Sequence, residues 1–585
     1  MHPSSTAVRR GSSRWNLGLA AAALFAVGAS PAGAVPAPPG LEAGIDTLFT
    51  EHAGTDRPGC AVGVVRDGEL IVARGYGLAN LESNLPITPS TTFNLGSVGK
   101  QFTALAALLL AQSGRLDLDA DVRRFVPELA PSDPPIRVRD LLLHTSGLRD
   151  EGTLELLAGR PARDMDGLLA LLARQRGLNF RPGTRHEYSH SDYSVLALVL
   201  EHVTNEPLGD LLERSIWRPL GMTSTRLHDR RGRPIPGRAF AYTESAGGFG
   251  VRFPGSTLVG GGNVYSSVDD LARWERNFVT AEVGGREAID RMLARPRLPS
   301  GEPGPYAYGL RHGSWRGLRT IARGGSGGGF ATEILRLPDQ RLAVTVLCNL
   351  LPAHPGRLAR EVAALLVADS LAPVAAETLP SSPGRSPADE LARDAGWYQP
   401  IDDRWNVVHM IAVDGVLHEE LDGSLIPLTR LAADRYADGE SLTYEFTQPE
   451  GAPRRLTLRT EDEPEVLVRT AWTGLWRPAP AELEPYLGEF VSDELATRWR
   501  LAREGDALVV HRDGAVTPCP LQPIERDLFR LVPGGPESCA RIGLAMTRDA
   551  SGHVDGFALS AIPDPYEIVR GVRFERVVRL VRAKS

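Results

Sequence analysis

Beyond residue 34, apolar residues first gather into two short runs, 60–65 and 70–76, with Asp67-Gly68 between them. Runs of that length split by such a dipeptide predict a β-hairpin. Residues 102–111 are apolar almost throughout, which predicts a buried helix, and Gly114 supplies its stop. Phe180-Arg181-Pro182-Gly183 breaks the chain, and the helix predicted beyond it places Val195, Leu196, Val199 and Leu200 on one face. Another helix is predicted to begin near Val268. Residues 331–337 and 342–347 read as strands joined by Pro338-Asp339-Gln340. After a stretch rich in Pro, Ser and Ala, residues 373–390, the texture changes. Short alternating strands with Asp-Gly turns replace the apolar helices.

This second half carries an approximate repeat. Gly396-Trp397-Tyr398 corresponds to Gly488-Glu489-Phe490, Trp405 to Trp499, Pro427-Leu428 to Pro520-Leu521, Asp434 to Asp527 and Tyr436 to Phe529. The offsets stay between 92 and 94 residues. Two related antiparallel barrels or sandwiches are the expectation, with one larger β-domain as the alternative. The reading gives 35–372 as one domain, 373–390 as linker, and 391–477 and 478–585 as two barrel-like domains.

Composition narrows the class. The chain has 585 residues, 42 % hydrophobic and 23 % charged, with a formal net charge of −7. No Lys/Arg block forms a nucleic-acid footprint. Residues 1–34 read as a secretory signal: Arg9, Arg10 and Arg14, then a short apolar core over 17–27, then Ala32-Gly33-Ala34 at a cleavage site. The core is too short to span a bilayer comfortably. No later run suggests a membrane span, so an exported protein, periplasmic or secreted, is expected. There are four cysteines, Cys60, Cys348, Cys519 and Cys539. Export permits disulfides. Cys519 and Cys539 are either a local bridge or free buried thiols. No spacing resembles a metal site, and no metal or cofactor is expected.

The candidate chemistry begins at Ser97-Val98-Gly99-Lys100, at the start of the predicted helix. A serine hydroxyl is a poor nucleophile at neutral pH and needs a base within hydrogen-bond reach. A lysine three residues on, one turn later on the same face, can act as that base once desolvation lowers its pKa. A helix start also aims free N–H groups at developing negative charge. Tyr188 sits at a loop-to-helix junction, where its phenol can point into a cleft and relay protons if cations lower its pKa. Its plainer reading is a half-buried packing residue. His144, in Leu143-His144-Thr145-Ser146-Gly147-Leu148, reads mainly as a buried histidine tying a turn to its helix. The Gly260-Gly261-Gly262 run lacks the strand-first arrangement of a nucleotide site. In Arg323-Gly324-Gly325-Ser326 the glycines let a ligand approach a strand edge, and Arg323 can hold a carboxylate by two parallel hydrogen bonds.

These stretches in this order resemble one family. Phe93-Asn94-Leu95-Gly96-Ser97-Val98-Gly99-Lys100, the His144 segment, Tyr188-Ser189-His190, Pro219-Leu220-Gly221-Met222 and 325–330 are similar to the serine β-lactamase and penicillin-binding-protein-like family. That family includes class C β-lactamases, D-aminopeptidase, D-alanyl-D-alanine carboxypeptidases and related esterases. The paired β modules after residue 390 are similar in kind to those of D-aminopeptidase. The resemblance implies an α/β (α+β) domain, an antiparallel sheet covered by helices with a mostly helical second lobe, followed by the two barrels. It implies that Ser97 forms an acyl-enzyme, that Lys100 and Tyr188 manage protons, and that the N–H groups of Ser97 and Ser326 bind the oxyanion. His190, Arg323, Gly325 and Ser326 are the implied substrate-binding positions. Two depart from the family's pattern: His190 stands where an Asn is usual, and Arg323 where Lys or His is usual. The family fold also sets the first core strand beside the last, which implies a Cys60–Cys348 disulfide. The implied substrate is a small peptide, amide or ester, peptidoglycan fragments included. The alternative is a non-hydrolytic penicillin-binding or cell-wall binding and sensing protein. The sequence gives no oligomeric state.

Overall fold

The computed structural model describes residues 37–577, apart from 230–231, 246, 254, 299–300, 302, 352, 373–385, 401–406, 422–423, 439–441, 460–463, 471–473, 514, 516, 533–541 and 565–566. The expected signal segment, most of the expected linker, Trp405 and Cys539 lie outside the described residues. Among the described residues, no helix is long and apolar enough to cross a membrane.

The first domain is built on a seven-stranded antiparallel sheet. Its strands are β1 (Cys60–Arg66), β2 (Glu69–Tyr76), β3 (Tyr306–Ala307), β4 (Leu310–Trp315), β5 (Leu318–Gly327), β6 (Phe330–Leu337) and β7 (Leu342–Cys348), in spatial order β3-β4-β5-β6-β7-β1-β2. The alternation of β1 and β7 decides the layers. Cys60, Val62 and Val64 with Val344, Val346 and Cys348 pack under α1 (Leu41–Leu48) and a helix near the domain's end (Pro355–Val367). On the other face Ala61 and Leu347 join the core of the helical lobe. That lobe includes α2 (Lys100–Gln112), α3 (Glu151–Ala158), α4 (His190–Thr204) and α5 (Val268–Thr280).

Cys60 lies opposite Cys348 in the β1–β7 register, and a disulfide joins them. The bridge spans 288 residues of sequence, so it restrains the unfolded chain strongly. Replacing both cysteines by alanine is expected to lower the domain's stability by about 2–4 kcal/mol. A lower urea midpoint, with a steeper slope because the unfolded chain is no longer tied together, is the measurement.

After helix Ala388–Asp394, nine strands from Gly396–Pro400 to Pro464–Arg469 form one antiparallel sheet. Its two edge strands, Ser424–Pro427 and Thr429–Ala432, are consecutive in the chain, so the sheet curls almost shut. Eight further strands, Gly488–Ser492 through Glu567–Arg576, form a closed barrel. The repeat shows in a shared ion pair: Asp434 holds Arg454 in the first sheet, and Asp527 holds Arg548 in the second. Cys519 is buried in the barrel.

The barrel does not hang free. The apolar cluster of the helical lobe runs on into the barrel interior, through Leu154 and Leu157 of α3 to Trp499, Val569 and Phe574.

Candidate active site

The nucleophile turn is set by close packing. Residues 96–99 form a 3-10 turn, and α2 begins only at Lys100. Ser97 therefore precedes the helix that the sequence places it in. Gly96 has φ +51°, and a Cβ there would come within 2.8 Å of the Ser326 amide nitrogen. A Cβ at Gly325 would come 2.1 Å from the Leu95 carbonyl and 2.9 Å from the Ser97 nitrogen. Only glycine at both positions lets the turn press against the edge of β5, which brings the Ser97 and Ser326 backbones together.

Lys100 is fully buried, with its Nζ over the rings of Tyr188 and Tyr193. Its Nζ donates to Ser97 Oγ at 3.2 Å and to the Gly261 carbonyl at 2.8 Å. The Gly260–Gly262 run thus supplies a lysine acceptor, which its composition did not suggest. Ser97 Oγ lies 2.8 Å from Tyr188 Oη. Arg323, on β5, donates from Nη2 to Tyr188 Oη at 2.6 Å and from Nε to the Ser97 carbonyl at 3.2 Å. Two of the Arg323 donors thus hold the nucleophile turn and the phenol.

The charges decide the protonation states. Burial alone would raise the Tyr188 pKa, but Arg323, Lys100 and His190 outweigh it and bring the phenol down to about 7. Burial also holds Lys100 below the ordinary amine range, with the Arg323 charge adding to it. His190 is opposed by burial, yet the Tyr188 oxygen and the Asp150 carboxylate push it up to about 10. Tyr188 is thus ringed by three cationic side chains, and Lys100 and Arg323 both stand over its ring face, at 5.0 and 4.9 Å from the centroid.

His144 takes the supporting part. It is fully buried, its Nδ1 is 2.7 Å from Asp192 Oδ2, and its ring packs on Tyr188 at 4.5 Å. Burial lowers its pKa well below the ordinary value and raises that of Asp192.

Sequence reasoning missed Asp150. It caps α3 by accepting from the Thr153 amide, and its Oδ2 accepts from the His190 amide at 2.8 Å and lies 3.0 Å from His190 Nδ1. An Asp just before a helical run is an N-cap signal, but nothing in the sequence joins it to His190. The barrel then secures Asp150. Its amide donates to the Ile568 carbonyl, and Arg149 next to it donates to the Arg570 carbonyl and to Glu494 Oε1 at 2.8 Å. Asn179 bonds both Ile568 and Arg570, and Arg570 pairs with Glu187, one residue before Tyr188. The last hairpin of the barrel, Val554–Asp564 and Glu567–Arg576, therefore buttresses the segment that carries Tyr188 and His190.

A cleft of about 190 Å³ opens beside Ser97. Asn94, Glu151, His190, Ser194, Asn263 and Ser326 are among its lining residues.

The family model described as Beta-lactamase matches residues 45–369. The D-aminopeptidase of Gluconobacter oxydans is 32 % identical over 331 residues, 56 % of this chain and 62 % of that protein. The D-aminopeptidase of Cereibacter sphaeroides is 29 % identical over 313 residues, 53 % of this chain and 59 % of that protein. The matched part thus spans about three-fifths of the length of these relatives. Among solved structures, the octameric penicillin-binding protein homologue from Pyrococcus abyssi aligns with a TM-score of 0.53 and 24 % identity, over 73 % of this chain and 99 % of that one. A structure described as SurE aligns at 0.51 and 23 %, over 74 % of this chain and 98 % of that one. These two establish likeness of fold.

Proposed function

The chain belongs to the beta-lactamase family, and from that premise we propose that it is a serine hydrolase that cleaves amide, peptide or ester bonds through an acyl-enzyme. The observation that carries this reading is the 2.8 Å contact of Ser97 Oγ with a phenol held near neutrality by three cations. In the proposed cycle the Tyr188 phenolate takes the Ser97 proton as Oγ attacks the carbonyl carbon. The N–H groups of Ser97 and Ser326 receive the oxyanion. Collapse of the tetrahedral adduct breaks the bond to the amine or alcohol, which takes the proton from Tyr188. Water then attacks the acyl-serine, giving its proton to Tyr188, and the acid leaves as Ser97 is reprotonated. Lys100 and Arg323 keep Tyr188 ionised between steps, and His190 adds a third charge held in place by Asp150.

The relatives are called D-aminopeptidases. That name brings amides and peptides of D-amino acids to this site as the proposed substrates, with simple esters as the near alternative. Export is part of the proposal and rests on residues 1–34. The division of labour is also part of the proposal, with the chemistry in 35–372 and the two β modules behind it.

The test is intact mass after exposure to a fluorophosphonate, followed by a screen of D-amino-acid amides, esters and β-lactams. A single adduct and turnover of an amide or ester are expected. No adduct on the folded protein overturns the reading, and an adduct without turnover of any substrate selects a binding or sensing protein instead.

A further inference from the structure

The reaction just described leaves one buried acid unused. Glu151 is the first residue of α3 and is only 7 % exposed. Its Oε1 accepts from Ser194 Oγ at 3.1 Å, and its Oε2 has no hydrogen-bond partner among the described residues. The side chain lines the same cleft as Ser97 and Ser326. A buried carboxylate oxygen without a partner is costly, and native structures seldom leave one so.

The nearby cations are already committed. His190 Nδ1 pairs with Asp150, and Lys100 donates to Ser97 and Gly261. The next acid along the helix, Glu155, cannot neutralise Glu151, and its own Oε1 is unpartnered among the described residues. Burial raises Glu151 to about 7, against the pull of His190, so the group ionises readily once a cation arrives. The cleft is small. At about 190 Å³ it compares with roughly 150 Å³ for a cavity that admits benzene. It has room for one small residue beside Ser97.

We propose that Glu151 is a specificity-determining residue: its carboxylate seats the free ammonium group of the substrate's acyl residue, in the cleft beside Ser97. The proposal rests on the serine-hydrolase reading and deepens it. The acyl donor is then a single amino acid bearing a free α-amine, and N-acylated analogues are disfavoured, because an amide nitrogen carries no charge to pair with the carboxylate.

The experiment uses the full chain carrying Ser97→Ala, which holds ligands without cleaving them. Calorimetry compares D-alaninamide with N-acetyl-D-alaninamide, in that background and with Glu151→Gln added. A charge-assisted hydrogen bond predicts that the free amine binds about 10- to 100-fold more tightly than the acetylated compound, and that Glu151→Gln removes this preference. Equal affinity for the two compounds, no binding of the free amine, or a Glu151→Gln variant that keeps the preference overturns the proposal. A melting temperature within a few degrees of the parent's establishes that the variant is folded; if it is not, Glu151→Asp is read in the same way, with a partial preference expected. Fluorophosphonate labelling of the wild type separates the two readings: labelling with no amine preference removes the role of Glu151 alone, and absence of labelling removes the hydrolase.

Discussion

Replacing Ser97 with alanine is expected to lower kcat/KM by at least about 10⁴-fold, the scale on which serine hydrolases lose activity with their nucleophile. The fold should survive. Ser97 Oγ bonds only to Tyr188 and Lys100 among the described residues, and both keep other partners: Tyr188 keeps Arg323, and Lys100 keeps the Gly261 carbonyl. Loss of the hydroxyl therefore leaves no buried charge unpaired, and the change in stability should be within about 1 kcal/mol. Steady-state kinetics and intact mass measure the effect together. The variant should take no fluorophosphonate adduct. Residual turnover within tenfold of the wild type would move the nucleophile elsewhere.

The sequence carried the local parts of this site well. The apolar run after Ser97 is a buried helix, Lys100 is buried at its start, and burial is the leading cause of its lowered pKa. The two hairpin runs became β1 and β2 around Asp67-Gly68, and Val195, Leu196, Val199 and Leu200 are all fully buried in α4. What the sequence could not carry is long-range. Arg323 is 135 residues from Tyr188 and 226 from Ser97, and only the β5 edge shows where its donors point. Asp150 reaches His190 across 40 residues, and the barrel reaches Asp150 across more than 400. No periodicity encodes such contacts. Glu151 was illegible for a different reason. Its signal is a partner that is missing, and only a packed structure displays that.

The second large effect is expected from Tyr188→Phe: a fall of about 10²–10⁴-fold in kcat/KM, the usual contribution of a positioned general base. The ring itself should stay in place. Phenylalanine keeps the packing on His144 and the cationic faces of Lys100 and Arg323, so a loss of this size belongs to the hydroxyl. The pH profile gives the sharper test. A base works when deprotonated, so wild-type kcat/KM should rise with pH and level off above about 7, the value to which Arg323, Lys100 and His190 bring Tyr188 against its burial. Below that pH the rate should drop tenfold per unit. An ester without an amine should be used, so that ionisation of Glu151 does not enter the profile. In Tyr188→Phe this limb should vanish. In Arg323→Gln the largest of the three lowering influences is lost, so the limb should move to higher pH. A limb near 7 that persists in Tyr188→Phe would transfer the base to Lys100. Its amine is buried, held below the ordinary range and 3.2 Å from Ser97 Oγ, and Tyr188 would then be left to orient the serine alone.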